Sequence, residues 1–212
     1  MIHIIDTVKS TNNWLSDFFL NIGDCVLAIK QTEGKGRRGN SWNSELGGLY
    51  FTFVSSSNKF LPFITGLSVL ESLVDIKDKI RLKWPNDILL NGRKLGGILC
   101  ESYGNYTIVG LGLNINNSVS ISKTINLNDI NYDLDKLDFI SLFMVNFNEN
   151  FNLSPEKILD KYTKVDFLIG KNINWNSGSG IVKSIDKDGS LIVDTSDKIV
   201  NLYSEEVSIE NY

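Results

Sequence analysis

Two clusters of residues have the types and spacing for chemistry on anions. The first is Gln31-Thr32-Glu33-Gly34-Lys35-Gly36-Arg37-Arg38-Gly39-Asn40-Ser41-Trp42, which puts three cations and three glycines into six residues, Gly34 to Gly39. Glycine has no Cβ, so the backbone can turn its N–H groups toward a ligand. Lysine supplies a compact point charge and arginine a planar fork, and both match phosphate or carboxylate oxygens. The second cluster is Lys83-Trp84-Pro85-Asn86-Asp87 followed by Lys94-Leu95-Gly96-Gly97-Ile98-Leu99-Cys100-Glu101. It sets a cation, an amide and a carboxylate around a proline-stiffened turn, then sends Lys94 into a strand where two glycines remove side chains. A glycine pair in a strand usually marks close backbone approach by a ligand.

Neither cluster alone names that ligand. The plain alternatives are a solvated surface loop and an ordinary hairpin with solvated lysines, and a Gly/Arg-rich segment also suits a nucleic-acid backbone. The loop is not a P-loop, because Gly-x-x-x-x-Gly-Lys-Ser/Thr is absent. Its match to Gly-x-Gly-x-x-Gly is one of letters only, since no helix starts inside it.

The elements that must position these clusters are legible from pattern. Residues 1–8 read as a strand. A helix follows, with apolar Trp14, Leu15, Phe18, Phe19 and Ile22 at helical spacing, Ser10 or Thr11 as N-cap and Gly23 as its end. Cys25–Ile29 and Gly48–Val54 read as strands anchoring the glycine-rich loop at both ends. A second helix is expected over roughly 61–76. Strands Ile80–Trp84, Ile88–Leu90, Lys94–Ser102 and Tyr106–Asn116 form an antiparallel meander, with Asn91-Gly92 as a hairpin turn. Residues about 136–151 and 156–163 read as helices, the latter with Ser154 as N-cap and Pro155 at the first helical position. From Val165 the pattern changes to short strands, with turns at Asn176–Gly180 and Asp186–Gly189. The expected organisation is a larger domain, 1–164, and a small barrel-like domain, 165–212.

Composition bounds the function. The 212-residue chain carries a formal net charge of −4, so the basic loop is a local feature and not part of a general basic surface. The two cysteines, Cys25 and Cys100, form neither a disulfide framework nor a metal spacing, which points to a reducing, cytoplasmic setting. Cys100 reads as a small buried hydrophobe. A lone histidine, His3, excludes His-based triads and zinc sites. The N-terminus reads as a first strand and not a signal peptide, and no window is long and apolar enough to span a membrane.

Together these pieces resemble the bacterial biotin protein ligases, over essentially the whole chain. The matching pieces run in family order: Ser10-Thr11-Asn12, Gln31 with the glycine-rich loop and Trp42, Lys83–Asp87, Lys94–Leu99 with Glu101, Gly110-x-Gly-x-Asn ending at Asn114, and Glu206-Val207-Ser208. The resemblance implies an α+β fold. It has a mixed or antiparallel sheet flanked by helices, like the class II aminoacyl-tRNA synthetases, and a small C-terminal SH3-like β-barrel. It implies a two-step reaction, in which biotin and MgATP give biotinyl-5′-AMP and pyrophosphate. A lysine of a biotin carboxyl carrier domain, by default that of acetyl-CoA carboxylase, then attacks the anhydride and releases AMP.

The roles carried over are as follows. Lys94, Arg37 and Asp87 would be catalytic. Ser10, Thr11, Asn12, Gln31, Lys35, Gly36, Arg37, Lys94 and Gly97 would bind biotin. Arg37, Arg38, Trp42, Asn86, Lys94 and Asn114 would bind ATP or the adenylate. Asp87 is left open between orienting Mg²⁺, Lys94 or the incoming lysine. The loop is expected to be mobile without ligand and to order over the adenylate, which would otherwise hydrolyse. Most family loops read Gly-Arg-Gly-Arg-Arg-Gly-Arg; here Lys35 and Asn40 replace two of the arginines. The larger members carry an N-terminal operator-binding module, whereas here the catalytic pattern starts at once, so no DNA binding is expected. A homodimer is left open. The competing readings are a lipoate–protein ligase, which lacks Lys-Trp-Pro-Asn-Asp, a biotin-binding pseudoenzyme, and a non-catalytic nucleic-acid-binding protein.

Overall fold

Runs of apolar residues rich in β-branched and aromatic side chains form the sheet that carries both clusters, and its central strands are buried along most of their length. A computed structural model describes residues 2–18, 21–119 and 123–209. Strands β1 (Ile2–Val8), β2 (Cys25–Gln31), β3 (Leu49–Ser56), β4 (Ile80–Lys83), β5 (Asp87–Leu90), β6 (Arg93–Tyr103) and β7 (Tyr106–Leu113) make one seven-stranded sheet, ordered β1-β2-β3-β7-β6-β5-β4. Only the β1–β2 pairing is parallel; β3 through β7 pair antiparallel, including the expected meander.

The two faces of the sheet are used differently. Helices α2 (Leu61–Ser72) and α3 (Lys136–Phe151) cover one face, where Phe51 and Phe53 meet Phe143 and Phe147; the Phe53 and Phe147 rings are 4.8 Å apart. Burying such large apolar side chains is the dominant favourable contribution to folding here. On the opposite face, α1 (Thr11–Phe18) sets Leu15 against Val26, Val54 and Ile108. Alternation along β3 therefore puts Thr52 on the α1 face, with its cross-strand partner Gly110. The rest of this face is open and holds the site.

Some boundaries differ from the sequence reading. The helix read through Ile22 is described as Thr11–Phe18, and its expected apolar Phe19 lies outside the described residues. The second helix ends at Ser72 and is followed by a 3-10 turn, Val74–Lys79. Helix α4 (Pro155–Val165) has Ser154 at its N-cap, as read.

The C-terminal strands are β8 (Asn172–Trp175), β9 (Gly178–Ile185), β10 (Leu191–Asp194), β11 (Ile199–Leu202) and β12 (Ser208–Ile209). They pair as an open five-stranded sheet, ordered β11-β10-β9-β8-β12. The first turn of this region is tighter than read, because Gly178 and Gly180 already pair within β9 opposite β8. This sheet joins the same hydrophobic core as α2 and β4, through Leu168, Ile173, Val182, Leu191 and Val193. The core therefore does not break where the sequence changes character.

Candidate active site

Four strands and one loop position the site. The paired register runs Lys83–Asp87, Asp87–Gly97 and Gly97–Gly112 across β4, β5, β6 and β7. Residues directly opposite in adjacent strands share a face. Two charged side chains and two bare glycines thus lie in one row.

Trp42 occupies the bare part of that row. A Cβ at Gly112 would fall 2.6 Å from Trp42 Nε1, and one at Gly97 would fall 3.3 Å from the same ring. Of the Gly96-Gly97 pair expected to admit a ligand, Gly97 is therefore covered by the protein's own indole, and Gly96 faces Leu113 instead. The Lys94 Nζ lies 5.5 Å from the Trp42 ring centroid. Among the described residues, the buried Trp42 Nε1 has no hydrogen-bond partner, so an N–H donor is left available at the site.

Lys94 reaches this face because of a β-bulge. Ile88 pairs with Gly96 but Leu89 with Lys94, so Leu95 is an extra residue in β6. The bulge turns Leu95 into the core and lets Lys94 lie beside Gly97. The Lys94 Nζ is 2.7 Å from Asp87 Oδ1, with both side chains partly exposed.

The neighbouring polar end is a chain of hydrogen bonds. Gln31 Oε1 accepts from the Thr11 backbone N–H at 2.8 Å and from its hydroxyl at 3.0 Å. The Thr52 hydroxyl lies 2.7 Å from Thr11 Oγ1 and 2.9 Å from Asn12 Oδ1. Asn12 Nδ2 donates to Glu101 Oε2 at 2.7 Å, and Gln31 Nε2 donates to Ser44 Oγ at 2.8 Å. Ser10, Thr11 and Asn12 are all buried.

The glycine-rich loop folds back as a hairpin, with Lys35 bridged to Ser41 and a 3-10 turn over Arg37–Gly39. Gly36 N–H donates to Asn40 O and Trp42 N–H to Gly34 O, so part of the loop's donor set is used internally. Arg37 donates to Asn86 Oδ1 at 3.0 Å and to Ser204 O at 2.9 Å. Partial burial, then the charge of Arg38, pulls the Arg37 pKa below its usual value. Lys35 Nζ donates to Asn13 Oδ1 at 2.7 Å. Asn86 is fixed in turn, donating to Ile98 O at 2.9 Å.

These groups surround one cavity of about 280 Å³. It brings together Ser10, Thr11, Asn12, Gln31, Lys35 and Gly36. It also takes in Arg37, Trp42, Asn86, Asp87, Lys94 and Gly97. Two expected site residues are not on its wall. Arg38 points to Ser204 Oγ at 3.5 Å on the exposed side of the loop. Asn114 is buried, donating to Ile125 O at 3.3 Å and accepting from Asn117 Nδ2 at 3.1 Å, which ties down the segment after β7. Its amide is committed to the scaffold.

Sequence reasoning assigned no site role to Thr52, Ser44, Glu101 or Lys83. The spacing of Gly110 and Gly112 was the signal for a side chain lying over β7, but it does not say which one. Nor did the sequence show that Trp84 joins the two sheets, donating its indole N–H to Gly189 O at 3.0 Å and its backbone N–H to Asp166 Oδ2 at 3.0 Å. The expectation for Cys100 holds in part: it is half-buried, and desolvation pushes its thiol up to about 12.

A mixed sheet with one helix-covered face, and a cationic loop closing a polar cavity on the other, defines an α+β ligase-type domain. Residues 4–116 match the Biotin/lipoate A/B protein ligase family, and the chain belongs to that family. It is 28% identical to the Escherichia coli bifunctional ligase/repressor BirA, over 98% of this chain and 74% of that protein. It is 35% identical to the human biotin–protein ligase, over 77% of this chain and 27% of that one. Its fold matches a biotin protein ligase from Aquifex aeolicus in complex with biotin and ATP, with a TM-score of 0.87, 27% identity and coverage of 99% of this chain and 98% of that one.

Proposed function

We propose that this protein is an ATP-dependent biotin–protein ligase that makes biotinyl-5′-AMP and transfers biotin to a lysine of a biotin carboxyl carrier domain. The observation that carries this reading is the composition of the cavity over the sheet. A neutral hydrogen-bonding end, Thr11, Asn12 and Gln31, suits a ureido group, and a cationic end, Arg37 and Lys94, suits a carboxylate meeting a triphosphate. Relatives and structural neighbours named as biotin protein ligases favour biotin over lipoate within the family.

In this reading Ser10, Thr11, Asn12 and Gln31 hold biotin, with Thr52 and Glu101 fixing the orientation of Thr11 and Asn12. Lys94 sits between the biotin carboxylate and the α-phosphate, and Asp87 positions it. Arg37 and Lys35 offset the charge of the approaching anions, and Gly36 gives the backbone close approach. Preorganised cations of this kind act by positioning and electrostatic stabilisation. The orphan N–H of Trp42 is a donor to the bound intermediate. ATP carries Mg²⁺ into the site. Asp87 is a carboxylate on the cavity wall that would face such an ion, which would be held largely by phosphate oxygens and water.

We read residues 1–164 as the ligase domain and 165–212 as an SH3-like module that closes the site with its segment 203–207. A cytoplasmic location follows from the carrier substrate. The repressor activity in the bifunctional relatives' names belongs to those proteins.

The test is the intact mass of an apo carrier domain after incubation with this protein, MgATP and biotin, with lipoate in a parallel reaction. A single biotin-sized addition, abolished in Lys94→Ala, is expected. Addition from lipoate alone would make it a lipoate ligase, and none from either would leave a binding protein.

A further inference from the structure

Lys83 is the last residue of β4 and lies on the wall of the cavity, opposite Asp87 in the strand register. It is half-buried, and among the described residues its side chain makes no ion pair and no hydrogen bond. Its situation differs from that of the other cations. Lys94 has Asp87 at 2.7 Å, Arg37 is held by Asn86 and Ser204, and Lys35 is held by Asn13. Desolvation is the largest influence on Lys83 and pulls its pKa below the usual lysine value, with Lys94 acting in the same direction. The charges of Asp87, Asp166 and Glu206 oppose this without outweighing it.

A desolvated cation without a partner is unfavourable unless an anion arrives to replace the lost water. The cavity is where that anion must come from. The two lysines flank Asp87, Lys94 from the β6 side and Lys83 from β4. Asp87 is already bonded to Lys94, so it does not satisfy Lys83.

We propose that Lys83 binds the phosphate chain of the nucleotide and stabilises the departing pyrophosphate, a role separate from that of Lys94. This rests on the ligase reading above. In the adenylation step a biotin carboxylate oxygen forms a bond to the α-phosphorus. The bond from that phosphorus to the bridging oxygen breaks, and pyrophosphate leaves with the electron pair. Lys83 donates to the oxygens on which that charge accumulates. The transfer step involves no pyrophosphate and does not use Lys83.

The experiment compares wild type, Lys83→Gln and Lys83→Arg in three assays. These are biotin-dependent ATP–pyrophosphate exchange, biotin binding by calorimetry, and single-turnover transfer to an apo carrier from added biotinyl-5′-AMP. Loss of one charge-assisted contact predicts a fall of roughly 10- to 100-fold in kcat/KM for ATP in Lys83→Gln. Biotin affinity and the transfer rate should stay within about twofold of wild type, and Lys83→Arg should recover part of the exchange rate. Unchanged exchange in Lys83→Gln overturns the proposal. So does a matching loss in transfer, which would place Lys83 against the carrier instead. Wild-type exchange is the control: if wild type shows none, the ligase reading itself fails. A Lys83→Gln protein that melts like wild type but loses all three activities equally also overturns the proposal.

Discussion

Asn12 lies directly over Gly110: a Cβ at residue 110 would fall 2.4 Å from Asn12 Oδ1. The same Oδ1 accepts from Thr52 and the amide nitrogen donates to Glu101, so Asn12 is fixed from three sides. A methyl group at 110 must push it away. Gly110→Ala is expected to weaken biotin binding by about tenfold or more in calorimetry, with a smaller loss of thermal stability. Unchanged biotin affinity would show that Asn12 does not set the pocket.

Removing Asp87 leaves Lys94 without its counter-charge. Asp87→Asn keeps the size and one acceptor but not the ion pair. The expected result is a drop of roughly 10- to 100-fold in the rate of biotinyl-5′-AMP formation, while biotin affinity changes less. If affinity falls and the rate at saturation does not, Asp87 serves binding and not positioning.

The junction between the two sheets is pH-sensitive through Asp166. Its carboxylate accepts from the backbone N–H groups of Trp84, Leu168 and Ile169, yet burial outweighs these and raises its pKa from 3.8 to about 6. A carboxyl whose folded pKa is raised binds more protons folded than unfolded between these values. Its contribution is therefore fully present below about pH 4 and is lost as pH rises through about 6. The loss is on the order of 2–3 kcal/mol at most. In urea melts from pH 4 to 7, the stability of Asp166→Asn relative to wild type should increase toward pH 7, because the variant lacks the carboxyl whose contribution wild type loses as pH rises. Parallel pH profiles would assign the dependence to other groups.

The glycine-rich loop is latched to the C-terminal segment. Arg37 and Arg38 reach Ser204, and Asn40 Nδ2 donates to Glu206 Oε1 at 2.9 Å. Lys35, Arg37 and Arg38 are trypsin sites. Glu206→Ala is expected to speed cleavage there by a few-fold, and biotinyl-5′-AMP to slow it in both proteins. Cleavage that ignores both the substitution and the ligand would remove the latch and the loop closure together.

Most of the elements follow from the sequence alone because their signals are local. Alternation marks β4, continuous apolar runs mark β3 and β7, helical spacing and a Ser-Pro cap mark α4, and Asn91-Gly92 fixes a hairpin. The chemistry-bearing residues are also local: a cationic loop and Lys-Trp-Pro-Asn-Asp identify the family through side-chain type and order. The tertiary structure decided what lies against what. The bulge at Leu95 chooses the face on which Lys94 appears, and simple alternation would have put it on the other. Trp42 fills the space over Gly97 and Gly112, Asn114 turns away from the cavity into the scaffold, and the Lys83 side chain lines the cavity with no partner among the described residues. Such outcomes depend on register and on contacts between residues far apart in the chain, and a local pattern of residue types does not encode them.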